Sequence, residues 1–98
     1  MTERIDVGDA RRVEASFYDS DGVLVDPTNV TITIRYEIVN EETVYTYGVD
    51  PSVKRTAVGQ YYMDFVLAYQ GRVYYAWRGT GNMDIMEQYF FTVLKSEA

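Results

Sequence analysis

The sequence predicts an all-β domain, an antiparallel β-sandwich of about seven strands, and three observations support this fold class. Apolar and polar residues alternate with a period of two, most clearly through residues 30–38, as in strands with one buried and one solvated face. Turn-forming residues separate such segments at intervals of roughly 8–12 residues, a spacing typical of β-sandwiches. Aromatic residues make up 15% of the chain and ten of them are tyrosines, which favours strands over helices.

The alternation places seven strands along the chain. They are expected at residues 5–7, 13–17, 30–38, 44–47, 61–67, 73–78 and 89–93. The segments between them are rich in glycine, proline, asparagine and aspartate, the residues that turns favour. With 98 residues and no internal repeat, the chain fits one domain over residues 1–98, large enough to bury a core without a metal or a disulfide.

The charge and the missing residue types narrow the classes of function. The formal net charge is −6 and the basic residues are scattered, so we expect no nucleic-acid partner. The absence of cysteine suits a reducing cytosol, and without a run of about 18 apolar residues we expect no membrane span. Residues 1–4 contain no apolar signal region, so we expect synthesis in a cytoplasm.

No catalytic pattern stands out, and we expect neither an enzyme nor a cofactor. The chain has no histidine and no cysteine, which removes the usual general bases and thiol nucleophiles. Asp64 and Asp84 are the candidate carboxylate pair for glycosidase chemistry. Acids on the outer faces of strands are normally solvated, and we favour that interpretation for both.

Two loops resemble ligand-binding motifs without completing them. Residues 19–22, Asp-Ser-Asp-Gly, begin like a calcium loop, but the twelfth position, where an EF-hand has glutamate, is Val30. We favour a tight turn and no metal, with a loose calcium site that includes Asp26 as the alternative. Residues 79–82, Gly-Thr-Gly-Asn, lack the lysine and helix of a phosphate-binding loop, and we interpret them as a hairpin tip.

Two aromatic residues have structural interpretations. Trp77 is in phase with Val73 and Tyr75, so we expect it in the core between the sheets rather than on a sugar-binding platform. Tyr69 precedes Gly71 and an aromatic strand, where its hydroxyl would bond to upstream backbone as a tyrosine corner.

Alternation also turns some apolar residues outward, and these form the candidate partner interface. The outer face of one sheet is expected to carry Tyr18, Tyr62 and Val66, and that of the other Tyr74, Ala76 and Phe90. Clustered aromatics on a sheet face are typical of contacts with another chain, although tyrosine also occurs in strands for its β-propensity alone.

The landmarks of the chain, read in order, are turn residues and aromatic strand segments. They are Val7-Gly8-Asp9, Asp26-Pro27-Thr28, the strand at 30–38, Tyr45-Thr46-Tyr47-Gly48, Gly59-Gln60-Tyr61-Tyr62, Gly71, Tyr75-Ala76-Trp77, Gly79-Thr80-Gly81 and Phe91-Thr92-Val93. Over nearly the whole chain this pattern resembles small immunoglobulin-like structural proteins of tailed bacteriophages.

The resemblance implies an immunoglobulin-like β-sandwich with a role in assembly and no catalytic residues to carry over. It implies a bacteriophage virion structural protein, a capsid decoration (cement) subunit that docks on the shell. A neck or tail accessory protein, and a carbohydrate- or surface-binding immunoglobulin-like module, are the alternatives. Its partners would be the major capsid protein or neck and tail subunits, and further copies of itself. It would be made in the host cytoplasm and located in the virion.

Overall fold

The structure is a computed structural model that describes residues 6–94. These residues form seven strands and no helix, which confirms the predicted all-β class. The strands are β1 (Ala10–Ser16), β2 (Asn29–Tyr36), β3 (Glu41–Thr46), β4 (Val53–Ala57), β5 (Gln60–Val66), β6 (Gly71–Thr80) and β7 (Ile85–Val93).

The strands divide into two antiparallel sheets. One has three strands in the order β1-β5-β4, and the other has four in the order β3-β2-β6-β7. β6 pairs with β7 without a register shift, from Gly71 opposite Val93 to Gly79 opposite Ile85. β4, in contrast, has an irregularity between Arg55 and Ala57, which shortens its ladder with β5.

The core lies between the two sheets and is built from the inward phase of the alternating segments. It comprises Val13, Ala15, Phe17, Val30, Ile32, Ile34, Val53, Tyr61, Met63, Leu67, Val73, Trp77 and Val93. Trp77 is 0% exposed, which confirms its predicted place in the core. Its Nε1 is a buried nitrogen without a hydrogen-bond partner among the described residues, a desolvation cost of about 1–3 kcal/mol that the apolar packing of the indole offsets.

The set of seven strands differs from the predicted set at two places. Of the predicted strand at 5–7, Asp6 forms an isolated parallel bridge to Leu94 and Val7 lies in a turn, so the described part contains no strand, and residue 5 lies outside the described residues. β4 was not predicted, because only Val53 points into the core and the following residues are exposed. A strand that buries only one side chain shows no alternation of apolar and polar residues, so the sequence pattern does not predict it.

The predicted ends of two segments also require correction. The strand expected to reach Ile38 ends at Tyr36, and Ile38 is 58% exposed, because the chain turns at Asn40, where φ is +50°. The Asn40 N–H donates to the Tyr36 carbonyl at 2.8 Å, which closes that turn. Gly79 belongs to β6 rather than to a hairpin tip and is buried.

Asp26, in the connection between β1 and β2, is hydrogen-bonded to four other segments of the chain. Its Oδ1 accepts hydrogen bonds from Gly59 N at 2.8 Å, Tyr61 OH at 2.9 Å and Arg55 Nε at 3.1 Å. Its Oδ2 accepts from a second guanidinium nitrogen of Arg55 at 2.9 Å, and its backbone carbonyl from the Asn82 side chain at 3.2 Å. We call this group the Asp26 network. It joins the β1–β2 connection to β4, to the β4–β5 turn, to β5 and to the β6–β7 connection.

Gly59 sits where the network meets the core. Its φ is +72°, and a Cβ there would lie 2.9 Å from the Phe17 carbonyl oxygen and 2.9 Å from the Val25 nitrogen. Both contacts are with backbone, which cannot rotate away. The Gly59 carbonyl also accepts the Phe17 N–H at 2.8 Å, so the close approach is part of the hydrogen bonding between the two segments.

We predict that Asp26→Asn lowers stability at neutral pH and that the deficit shrinks in acid. The hydrogen bonds from Arg55 and then from the Gly59 N–H lower the pKa of Asp26 from 3.8 to about 2. A depressed folded-state pKa stabilises the fold above the unfolded pKa, near 4, and this contribution is lost as the pH falls toward 2. The measurement is the melting temperature of both proteins from pH 7 to pH 2.

The control for this experiment is Asp84→Asn. Asp84 also pairs with an arginine, Arg78, but its side chain is 73% exposed, and such surface pairs contribute little. We expect its melting temperature to follow the wild type at every pH. A deficit for Asp26→Asn that stays constant down to pH 2 would contradict the proposed role of the Asp26 carboxylate.

We predict that Gly59→Ala destabilises the fold far more than Gly22→Ala. Both glycines have positive φ, but a Cβ at Gly22 would meet nothing within 4 Å. Gly22→Ala should therefore cost about 1 kcal/mol for the backbone conformation alone, and Gly59→Ala about 3 kcal/mol because backbone must also move. Urea unfolding at pH 7 measures both, and equal losses would show that the close approach at Gly59 is unimportant.

Candidate docking surface on the four-stranded sheet

The outer face of the four-stranded sheet brings aromatic and basic residues of three strands into one row. Val73 and Trp77 of β6 point inward and are buried, so Tyr74 between them points outward. The register sets Arg35 of β2 opposite Tyr74, and Tyr74 opposite Phe90 of β7. The rings of Tyr74 and Phe90 lie 5.9 Å apart between centroids at 44°.

Two arginines stack on these rings. The guanidinium carbon of Arg35 lies 4.4 Å from the centroid of Tyr74, and that of Arg72 lies 5.2 Å from the centroid of Phe90. Both distances are within the range of cation–π attraction. The Tyr74 hydroxyl donates to Glu37 Oε2 at 2.7 Å, which fixes the ring. We call Arg35, Arg72, Tyr74 and Phe90 the arginine–aromatic patch.

The arginines of the patch differ in their contacts from three others. Arg12, Arg55 and Arg78 form ion pairs with Asp64, Asp26 and Asp84 respectively. Arg35 and Arg72 instead contact the rings and donate weakly to neutral oxygens, of Asn40 at 3.4 Å and of Tyr74 at 3.5 Å. Acidic residues nevertheless lie nearby, because Glu42 is opposite Arg35 in the register and Glu37 interacts with the charge of Arg72. The patch therefore presents two guanidinium groups stacked on rings, with their charge partly balanced by these two carboxylates.

On the outer face of the three-stranded sheet, by comparison, the arginine that stacks on a tyrosine is also paired with a carboxylate. Tyr62 lies under the Arg12 guanidinium, whose carbon is 4.2 Å from the ring centroid. Arg12 in turn donates two hydrogen bonds to Asp64, at 2.8 and 3.0 Å, and this pairing lowers the pKa of Asp64. Val66, 64% exposed, is the apolar side chain most open to solvent on β5.

The six residues of the predicted interface thus fall into three places. Tyr74, Ala76 and Phe90 share the outer face of the four-stranded sheet, and Tyr62 and Val66 lie on β5. Tyr18 lies beyond the end of β1, bridged to Leu24 and 49% exposed.

Arg35 and Arg72 were missed as candidates. Their outward phase is visible in the sequence, but only the register between strands sets them against the rings of Tyr74 and Phe90.

A depression of about 140 Å³ lies beside the patch. Its lining includes Thr33, Arg35, Glu42, Tyr74 and Gln88. This volume is below the roughly 300–1,000 Å³ of small-molecule sites. It suits a single side chain of a partner protein better than a whole ligand.

The other candidate sites have structural explanations. Asp19 Oδ1 accepts the N–H groups of Asp21 and Val23 at 2.9 and 3.0 Å, which confirms the tight turn at 19–22. The carboxylate of Asp26 is occupied by the Asp26 network. Within residues 6–94 no group of three or more acidic residues is placed to hold a metal ion.

The hydroxyl that bonds the β5–β6 corner belongs to Tyr36 rather than Tyr69. It accepts the Ala68 N–H at 3.3 Å and donates to the Val66 carbonyl at 3.5 Å. Tyr69, expected in this role, packs its ring edge-on against Tyr36 with centroids 5.1 Å apart.

Comparisons with protein families, with curated proteins and with solved structures give no match for this chain. Residues 6–94 include no helix long and apolar enough to cross a membrane.

Proposed function

We propose that this chain is a docking module of a tailed-bacteriophage virion, a capsid decoration subunit that binds the shell through the arginine–aromatic patch. The observation that supports docking is that Arg35 and Arg72 stack on the outward-facing rings of Tyr74 and Phe90 and form no ion pair with a carboxylate of residues 6–94. The assignment to a virion rests on the resemblance of the turn and strand landmarks. The neck or tail of the virion is the alternative location under the same resemblance.

The chemistry of the patch defines the partner it would bind. Arginine and tyrosine are enriched among the residues that dominate protein–protein affinity. Glu37 holds the Tyr74 ring in place before any partner arrives, which reduces the entropy lost on binding. A partner surface with acidic groups beside an apolar pocket would pair with both arginines and receive Phe90, which is 58% exposed.

We further propose that the sandwich is immunoglobulin-like. Labelled as in that fold, β1 to β7 would be strands B, C, C′, D, E, F and G. The sheet orders then read B-E-D and C′-C-F-G, which is the division expected of strands B to G in an immunoglobulin domain. The patch would lie on the C′-C-F-G sheet.

A decoration subunit of this kind would act by mass action. A ligand that binds only the assembled shell stabilises it in proportion to its concentration relative to the dissociation constant.

We predict that the double variant Tyr74→Ser/Phe90→Ser loses binding to shells of the encoding phage prepared without this protein. Such residues carry about 2 kcal/mol or more each, which is about 30-fold in affinity, so loss of both should weaken binding by about 1,000-fold where the two contributions add. The measurement is co-sedimentation with shells over a range of protein concentrations. Circular dichroism checks that the variant is folded, as expected from the exposed position of the patch.

The matched control is Tyr62→Ser, which removes a tyrosine from the outer face of the other sheet and should change binding less than threefold or so. Wild-type binding by the folded double variant would overturn the role of the patch. Mass spectrometry of purified virions tests the location independently. Hundreds of copies would support the shell, about six or twelve would support the neck or tail, and absence would overturn the virion assignment.

A further inference from the structure

Among the described residues, no strand pairs with the outer edge of β7, and β7 has few of the features that normally prevent edge-to-edge pairing. It spans nine residues and Glu87 is its only charged one. It runs opposite β6 without a bulge, so its outer edge is regular. Such an edge presents a row of backbone N–H and C=O groups that another strand can pair with.

The other three edge strands of the described residues carry protection. β1 has three charged residues, Arg11, Arg12 and Glu14, among seven. β3 has six residues and begins with two glutamates. β4 has only five residues, of which Lys54 and Arg55 are charged, and its ladder is irregular. Charges, short length and bulges are the usual means of blocking an edge, and β7 has none beyond Glu87.

The backbone groups of the even-numbered residues of β7 point away from β6. The Leu94 carbonyl accepts the Val7 N–H at 3.1 Å, so residue 94 faces outward. The N–H and C=O groups of a strand alternate in direction with each residue. The Arg72 carbonyl accepts the Glu37 N–H on the β2 side of the sheet, so the even-numbered residues of β6 direct their backbone groups toward β2 and the odd-numbered ones toward β7. Odd-numbered residues of β6 lie opposite odd-numbered residues of β7, which leaves the even-numbered residues of β7 directed outward. Gln88 therefore has both groups directed outward.

We propose that β7 pairs antiparallel with β7 of a second copy about a twofold axis at Gln88. The pairing would join two four-stranded sheets into one sheet of eight strands. It sets Met86, 51% exposed, opposite Phe90 of the second copy, and Ile85 opposite its Phe91. Each Glu87 faces Tyr89 of the other copy, so the two carboxylates do not oppose each other.

The side chains of β7 are complementary to those of a second β7, which favours a second copy as the partner and favours one register of pairing. Centred on Tyr89 instead, the pairing would set Gln88 against Phe90 and Glu87 against Phe91, a polar side chain against an apolar one at each place. Centred on Gln88, apolar side chains meet on both faces of the strand, and cross-strand apolar pairs stabilise sheets. The ladder also stops before Leu94, whose carbonyl is already bonded to Val7.

This inference concerns the edge of the sheet and does not depend on the docking role of its outer face. Its test needs only the purified chain. A chain that stays monomeric would contradict the pairing and not the docking role of the patch, whereas a dimer that fails to bind shells would contradict the docking role and not the pairing.

We predict that the wild-type chain sediments with twice its 11.3 kDa mass at protein concentrations of about 100 µM, the regime of small interfaces. Salt at about 0.15 M screens the repulsion between two copies, each with net charge −6, beyond about 8 Å. Gln88→Pro should be monomeric, because proline removes an outward N–H and no bond to β6. Met86→Lys should also be monomeric, because the charge would oppose Phe90.

The matched control is Val44→Lys. Val44 is 56% exposed and lies on the same outer face, but on the opposite edge strand, β3. It should remain dimeric, and circular dichroism should give a folded β-protein for all three variants. A monomeric wild type at about 1 mM, well above the expected dissociation constant, would overturn the proposal, as would dimers of folded Gln88→Pro and Met86→Lys.

Cysteine substitution tests the register directly, since the chain has no cysteine of its own. Opposed Cα atoms of a hydrogen-bonded antiparallel pair lie about 5.5 Å apart, within the range of about 4.4–6.8 Å for a disulfide. Gln88→Cys should therefore form a disulfide-linked dimer on mild oxidation, whereas Phe90→Cys should not, because Phe90 faces Met86. Preferential cross-linking of Phe90→Cys would rule out the axis at Gln88.

Discussion

The carboxylate of Asp26 is the constraint on which the relation between the two sheets depends. The chain passes from the three-stranded to the four-stranded sheet between β1 and β2, and Asp26 lies on that passage. Its hydrogen bonds to Arg55, Gly59 and Tyr61 hold the passage against β4 and β5. With this end fixed, Phe17 packs edge-on against Tyr61 with centroids 5.7 Å apart. The core then closes around Trp77.

Periodicity predicted the phase of the strands well, because burial of one face is what creates the alternation. The inward residues of β1, β2, β5 and β6 follow from it directly. It could not predict β4, which buries only Val53, or the end of β2, where Ile38 is apolar but follows a turn. Periodicity also could not predict the Asp26 network, because Arg55 and Tyr61 are 29 and 35 residues away from Asp26 in the sequence.

The sequence predicted the aromatic residues of the candidate surface but not its arginines. Alternation turns Tyr74 and Phe90 outward, but their contact requires the β6–β7 register, which sequence phase alone leaves open. The same limit applies to the arginines, whose stacking follows from the pairing of β2 with β6 and of β6 with β7. What distinguishes the two outer faces is where each arginine finds its partner. Asp64 forms an ion pair with Arg12 beside Tyr62, whereas Arg35, which stacks on Tyr74, has no ion pair within residues 6–94.

The position of Phe90 on an edge strand has a consequence for avidity. An antiparallel pairing of β7 about an axis perpendicular to the sheet would keep both outer faces on the same side. Two arginine–aromatic patches would then lie side by side on one continuous surface. A lattice of repeated subunits could bind both at once, and the second contact would form at an effective concentration far above that of free protein. A patch that binds weakly by itself would suffice for stable attachment, and detachment would require both contacts to break together.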